Sequence, residues 1–300
     1  MTAPPLLRSL LFAPANEPRK TSKLSASGAD AVVLDLEDAV AHDQKIAARP
    51  VAREALRGIV GPLRCIRVNA FNTGLTAGDV AAVVCAQLDV IVLPKAEAAV
   101  DLRQLEAMLD AAEAAEGLPR GTIRVLPLVE TCVGVAAGAE IARASPRILA
   151  LAFGSGDLGR DLALPTIRGD LSAALAYGRG KIVYDARAAG LPAPLDGPYL
   201  NVRDQHGLEQ DCRMAAALGH GGKVCIHPDQ VTIANRVFAP AAEEVAFAHK
   251  VVAEFAAAEA RGTAAIAVDG VFVDYPIVIK ANAIIALADA IAADRKRRAA

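Results

Sequence analysis

Short runs dense in Val, Ile and Leu recur eight times along this chain, and the stretches between them carry helical periodicity. The runs fall at Leu10 to Ala13, Ala31 to Leu36, Cys65 to Val68, Val90 to Leu93, Val125 to Val129, Leu149 to Phe153, Pro198 to Val202 and Lys223 to Ile226. Over Ala98 to Glu116, Val100, Leu102, Leu105, Met108 and Leu109 return at spacings of three and four among charged neighbours, the period of an amphipathic helix. Strand and helix in alternation imply parallel strands with crossover helices. Eight such units within about 230 residues match an α/β (β/α)₈ TIM barrel, whose usual length is about 250. The near-continuous apolar strands agree, since parallel strands are covered on both faces. An open doubly wound sheet is the competing arrangement.

The barrel accounts for residues 1–240 and leaves 241–300 as a C-terminal helical extension, a lid or an oligomer arm. A helix is expected from Ala241 to Arg261, then a loop over Gly262 to Tyr275 with a Val-Asp-Gly turn, then a final helix opened by Pro276. The closing Arg-Lys-Arg-Arg run, Arg295 to Arg298, reads as a solvated helix end.

Composition excludes more than it selects. With 300 residues, 54% hydrophobic, 22% charged and a net charge of −2, the chain can bury one large core and offers no charge excess for nucleic acid or an anionic membrane. No apolar run approaches the roughly 20 residues of a membrane span. Only Arg8 precedes the short apolar run ending at Pro14, which is not a secretory signal, so a cytoplasmic protein is expected. Cys65, Cys85, Cys132, Cys212 and Cys225 are scattered, odd in number and form no C-x-x-C pair, which argues against disulfides and zinc.

In such a barrel, function collects where the strands end. The second strand ends in Asp35-Leu36-Glu37-Asp38, the third carries Arg67 and Asn69, and the fourth ends in Pro94-Lys95. The fifth supplies Glu130, the sixth Gly154 to Asp157 and the eighth His227. Glu130 and Asp157 stand just beyond successive strands, so their carboxylates can share one divalent cation. Two hard oxygen donors without a nearby histidine favour Mg²⁺ over Zn²⁺, with open positions for substrate. The structural alternatives are a salt bridge from Glu130 to Arg67 and a helix cap at Asp157. Gly156, with Gly154 just ahead, lets the backbone approach a ligand closely. Lys95 at a strand end also allows a Schiff-base aldolase, and His227 reads as a structural hydrogen-bonding group.

Taken together, Arg8 to Pro14, Leu34 to Asp38, Arg67-Val68-Asn69, Leu93 to Glu97, Leu128 to Thr131 and Val224 to Pro228 resemble the citrate lyase beta-subunit-like family, which includes malyl-CoA and citramalyl-CoA lyases. The resemblance runs in order from about Arg8 to the last helix. It implies a Mg²⁺-dependent barrel, with Mn²⁺ as a substitute, that cleaves or forms a carbon–carbon bond in a 3-hydroxyacyl-CoA such as malyl-CoA, citramalyl-CoA or citryl-CoA. In the family's pattern the metal carboxylates match Glu130 and Asp157, and Arg67 matches an active-site arginine holding the thioester oxygen or substrate carboxylate. Asp35 and Glu37 resemble groups that orient metal-bound waters and that arginine.

Val273-Asp274-Tyr275-Pro276 resembles the segment that places an aspartate over a neighbouring subunit's site, which makes Asp274 the candidate acid/base; its bland alternative is a helix cap ahead of Pro276. Arg19 matches the family's Pro-Arg segment and is the candidate contact for CoA phosphates. Partners implied are a CoA thioester and a 2-oxo acid, within a homotrimer or hexamer. One departure stands out: many relatives carry Gly-Ala-Glu-Asp where this chain has Gly154-Ser155-Gly156-Asp157, so one acidic side chain beside Asp157 is missing. A Mg²⁺ aldolase on free 2-oxo acids and a subunit active only inside a citrate lyase-like complex are the competing functions.

Overall fold

The computed structural model describes residues 5–165 and 172–299. Two compact units emerge, residues 1–236 and 237–300. In the first, β1 (Ser9–Pro14), β2 (Ala31–Asp35), β3 (Leu63–Arg67), β4 (Val90–Leu93), β5 (Arg124–Val129), β6 (Ala152–Phe153), β7 (Leu195–Asp196) and β8 (Gly222–Cys225) pair in sequence order. All neighbours are parallel, and β8 returns to β1 through Ser9 to Lys223, closing the barrel. Closure excludes the open sheet.

Alternate strand residues fill the interior. Leu10, Ala31 and Val33, Cys65, Val90 and Val92, Leu126 and Leu128, Ala150 and Ala152, Leu195 and Val224 form one buried cluster. Small and large side chains from all eight strands thus build the packed layers expected of a barrel of this size. Helices cover the outside, among them Ala99–Ala115, which buries Leu102, Leu105 and Leu109 as its three-and-four spacing requires.

One strand lies elsewhere than the sequence suggests. The seventh is Leu195–Asp196, not Pro198 to Val202. The apolar pattern misleads because half of this strand is an aspartate, 1% exposed, that the pattern reads as loop. Asp196 is neutralised from outside the barrel: Arg179 donates to it at 2.9 and 2.5 Å, and Lys223 of β8 bonds to it as well. Asp211 completes the cluster with bonds from the same arginine and lysine. Removing one partner would strand a buried charge, at a cost of about 3–5 kcal/mol.

The second unit contains the helices Ala242–Glu259 and Tyr275–Ala299 around Val251, Phe255, Val268, Val273 and Ala281. Between them the expected loop is a hairpin, β9 (Ile266–Val268) with β10 (Val271–Val273). Asp269 at φ 47° and Gly270 at φ 81° form the two-residue turn, and positive φ at both positions is what an Asp-Gly hairpin turn requires. The expectation about membrane-length segments also needs correction. Within the helix Tyr275–Arg298 an 18-residue stretch has mean hydropathy 1.7, enough by length and composition to cross a membrane, and 11% of that stretch is buried in this chain. Lys280 and Asp289 break the apolar run, but the alanine and isoleucine around them raise the average.

Candidate active site

Strand alternation carries the hydrophobic layer directly into a polar one. Asp35 follows Ala31 and Val33 on the same face of β2, Arg67 follows Cys65 on β3, and Glu130 follows Leu126 and Leu128 where β5 ends. The next residue of that parity after Ala152 is Gly154. Four sequence positions thus become one layer at the mouth.

Asp35 and Arg67 are register partners. Arg67 donates through Nε and Nη2 to the two Asp35 oxygens at 2.7 Å each. Its Nη1 lies 3.0 Å from Glu37 Oε2 and 3.7 Å from Asp38 Oδ2, and its guanidinium stacks over Phe12 at 5.1 Å. Burial works against the charge, but the bond to Asp35 and the nearby Glu37 and Glu130 raise the Arg67 pKa further, so the cation is permanent. Asp35 also accepts from the amides of Glu37 and Ala39 at 2.9 and 3.0 Å, which turns the loop that carries Glu37.

Lys45, which carries no signal of its own in the sequence, fastens that loop. Its Nζ donates to Glu37 O and Asn69 Oδ1 at 2.7 Å each and to Leu36 O at 3.3 Å. Asn69 is in turn held by Asp79, which accepts from its amide and side chain at 2.8 Å.

Glu130 is 3% exposed, and its Oε1 accepts from the Lys95 amide at 2.9 Å. Burial, opposed by Arg67 and aided by the charges of Glu37 and Asp157, raises its carboxyl to about 7. Arg67 spends its ion pairs on Asp35, Glu37 and Asp38 rather than on Glu130. The space beside Glu130 exists because residue 154 is glycine: a Cβ there would lie 2.3 Å from Glu130 Cβ and 2.4 Å from its Oε2.

Asp157 sits in the first turn of the helix Ser155–Asp161, whose N-cap is Gly154. It is therefore not the cap that the sequence allowed. Arg160 lies 3.0 Å from its Oδ1, and Lys95 Nζ lies 3.9 Å from its Oδ2. Lys95 also donates to Glu37 Oε1. Burial acts to lower the Lys95 pKa, but the bond to Glu37 and the charges of Glu37, Glu130 and Asp157 raise it overall. A lysine held protonated is a poor nucleophile, which argues against the Schiff-base reading.

Lys95 thus draws Glu37, Glu130 and Asp157 together, the first and last through its ammonium and Glu130 through its amide, and burial is the main cause that raises the carboxyl pKa values of Glu37 and Glu130. Among the described residues no group of three or more His, Cys, Asp or Glu side chains is arranged to enclose a metal. Two carboxylates with room for water and substrate oxygens suit Mg²⁺, which keeps much of its hydration. The donor set fits that ion. Beside it opens a cavity of about 370 Å³ whose lining includes Phe71, Lys95, Glu97, Thr131, Arg160 and Asp161.

Gly156 is exposed, and a Cβ there would meet nothing within 4 Å. Arg19 is exposed on the four-residue helix Pro18–Thr21 that follows β1. Asp274 belongs to the 237–300 unit, where its Oδ1 accepts from the Ile277 amide at 3.4 Å, the capping geometry. His227 is half-exposed and turned to Asp229. The Cys132 thiol is pushed up by its hydrogen bond to Asp161, which leaves it un-ionised.

Residues 8–228 match the HpcH/HpaI aldolase/citrate lyase family. The chain belongs to this family. As a family member it is 35% identical to the citrate lyase subunit beta of Leuconostoc mesenteroides subsp. cremoris over 287 residues, 95% of this chain and 94% of the relative. It is 36% identical to a (3S)-malyl-CoA thioesterase of Cereibacter sphaeroides over 288 residues, 95% of this chain and 96% of that protein. Among solved structures it resembles CitE from Mycobacterium tuberculosis in complex with magnesium, acetoacetate and coenzyme A. That match has a TM-score of 0.75 and 33% identity, and covers 96% of this chain and 99% of that one.

Proposed function

We propose that this family member is a Mg²⁺-dependent carbon–carbon lyase that cleaves or forms a 3-hydroxyacyl-CoA of the malyl-CoA, citramalyl-CoA or citryl-CoA type. The observation that carries the reading is the mouth itself: Glu130 offers hard oxygens near a permanently charged Arg67, and Asp157 adds its own from the first turn of the helix after β6. Relatives acting on malyl-CoA and citrate, and a fold neighbour holding magnesium and coenzyme A, support it.

Glu130 and Asp157 would hold the ion, which when bound supplies Lewis-acid charge for the oxygens of the 2-oxo acid. In cleavage, a base removes the proton of the 3-hydroxyl, the bond between C2 and C3 breaks, and its electron pair passes to the thioester as an enolate. Arg67, aimed by Asp35, donates to the oxygen on which that charge collects. Protonation of the enolate carbon completes the acyl-CoA, and the other fragment leaves as the 2-oxo acid.

Asp274, delivered from a second copy of the chain, is the acid/base of this reading. Exposed Phe272, Tyr275 and Ile279 around it support assembly into a homotrimer or its dimer, a hexamer. Arg19 is assigned to the CoA phosphates and Gly156 to close approach of the substrate. A cytoplasmic setting is part of the same reading.

The chain is assayed with malyl-CoA, citramalyl-CoA and citryl-CoA plus Mg²⁺, following glyoxylate, pyruvate and oxaloacetate. Turnover of free 4-hydroxy-2-oxo acids with none of the thioesters would favour the aldolase alternative. The likeness to a citrate lyase beta subunit also favours a chain that works inside a larger assembly. Thioester cleavage by the isolated chain would exclude that.

A further inference from the structure

Lys95 touches each of the three acids at the mouth. Its amide holds Glu130 Oε1 at 2.9 Å, its ammonium is bonded to Glu37 Oε1, and the same ammonium lies 3.9 Å from Asp157 Oδ2. The backbone reaches this position at φ 48°, left-handed and uncommon for a residue with a side chain. Such a conformation persists where surrounding bonds over-determine it. Here the bond that does so ties the lysine main chain to one of the assigned metal ligands.

We propose that Lys95 is a built-in cation that offsets the negative charge of the metal site in the metal-free protein, its ammonium on Glu37 and beside Asp157, and is displaced by the divalent ion. The inference rests on the reading of Glu130 and Asp157 as ligands and adds a device that reading does not contain. An ammonium and a divalent cation repel each other, so an ion on Glu130 and Asp157 works against an ammonium 3.9 Å from Asp157. The main-chain bond to Glu130 does not depend on where the ammonium points, so the side chain can leave while the backbone stays. A second acidic setting adjoins the first: Lys95 borders the 370 Å³ cavity whose lining also includes Glu97, Asp101 and Asp161. An ammonium moved there still faces carboxylates, and it enters the space open to substrate. Metal loading would thereby place a cation in the cavity that a substrate carboxylate could meet.

Displacement makes metal affinity a competition, and removal of the competitor strengthens the ion. Mn²⁺ binding to the full chain is measured by electron paramagnetic resonance for wild type, Lys95→Met and Lys95→Gln, each also combined with Glu130→Gln. The expected result is binding at least about tenfold tighter in both single variants than in wild type, abolished when Glu130→Gln is added. The metal-free single variants should melt at lower temperature than wild type yet gain more on Mg²⁺ addition. Equal or weaker Mn²⁺ binding in both variants would overturn the proposal and assign Lys95 to orienting the ligands. Tighter binding that survives Glu130→Gln would overturn it too, because the ion would be elsewhere. Thioester cleavage by wild type is read separately, so failure of the proposed reaction is distinguishable from failure of the displacement.

Discussion

Asp35 and Arg67 are register partners at the ends of adjacent parallel strands, and the guanidinium returns two 2.7 Å bonds to the carboxylate. The backbone pairing of β2 with β3 therefore sets the aim of the cation before any ligand arrives. Pre-aimed charge is what a developing enolate needs, since no reorganisation is then required during the reaction.

Arg67→Lys keeps the charge and loses the fork. It should lower kcat for thioester cleavage by about a hundredfold or more, because an ammonium cannot bond both Asp35 oxygens and a substrate oxygen in one plane. Steady-state kinetics with the preferred thioester checks this, and a change confined to KM would oppose it.

Two glycines two residues apart should respond differently. Gly154→Ala puts a methyl 2.3 Å from Glu130 Cβ, so it should destabilise the fold by about 1–3 kcal/mol and weaken Mg²⁺ binding. Gly156→Ala meets nothing within 4 Å and should stay within about 0.5 kcal/mol of wild type. Urea denaturation with and without Mg²⁺ distinguishes them.

Strand composition decided how much could be read in advance. Ala31 to Leu34 and Val90 to Leu93 announce themselves because every residue is apolar and buried. Leu195–Asp196 does not, because its aspartate is neutralised by Arg179 and Lys223, which lie 17 and 27 residues away. The hairpin at Asp269-Gly270 was legible in principle, since an Asp-Gly pair between Ile-Ala-Val and Val-Phe-Val is a hairpin signal. At the mouth, the ends of β2, β3, β5 and β6 could be named from position alone. The roles of Lys95 and Gly154 could not: one depends on acids 35, 58 and 62 residues away in sequence, the other on a Cβ clash with Glu130.

Acid and metal compete for Glu130. Its folded pKa of about 7 lies above the ordinary 4.5, so the folded chain binds more protons between those values than the unfolded chain does. Metal-free stability should accordingly be highest below pH 4.5 for this group and fall as pH rises through about 7. At about 1.36 kcal/mol per unit, the difference between 4.5 and about 7 corresponds to roughly 3 kcal/mol. Chelator-treated wild type compared with Glu130→Gln across that range isolates the effect. Mg²⁺ affinity should move the other way, weakening below about pH 7, and a flat affinity profile would contradict this.

Asp274→Asn preserves an oxygen for the Ile277 amide while removing the acid. Stability should change by less than about 1 kcal/mol, and kcat should fall by about 10²–10⁴. Mixed oligomers of Asp274→Asn with Glu130→Gln should recover part of the activity, because one copy then supplies the base and the other an intact metal layer. Absence of recovery would place Asp274 outside the reaction.

Release of 2-oxo acid from the CoA thioesters, measured with Mg²⁺ and with chelator in wild type, Glu130→Gln and Asp157→Asn, bears most directly on the central claim. The expected result is Mg²⁺-dependent cleavage by wild type that is lost in both variants and in chelator. Cleavage that continues unchanged in either variant, or without divalent metal, would contradict a reaction centred on those two carboxylates.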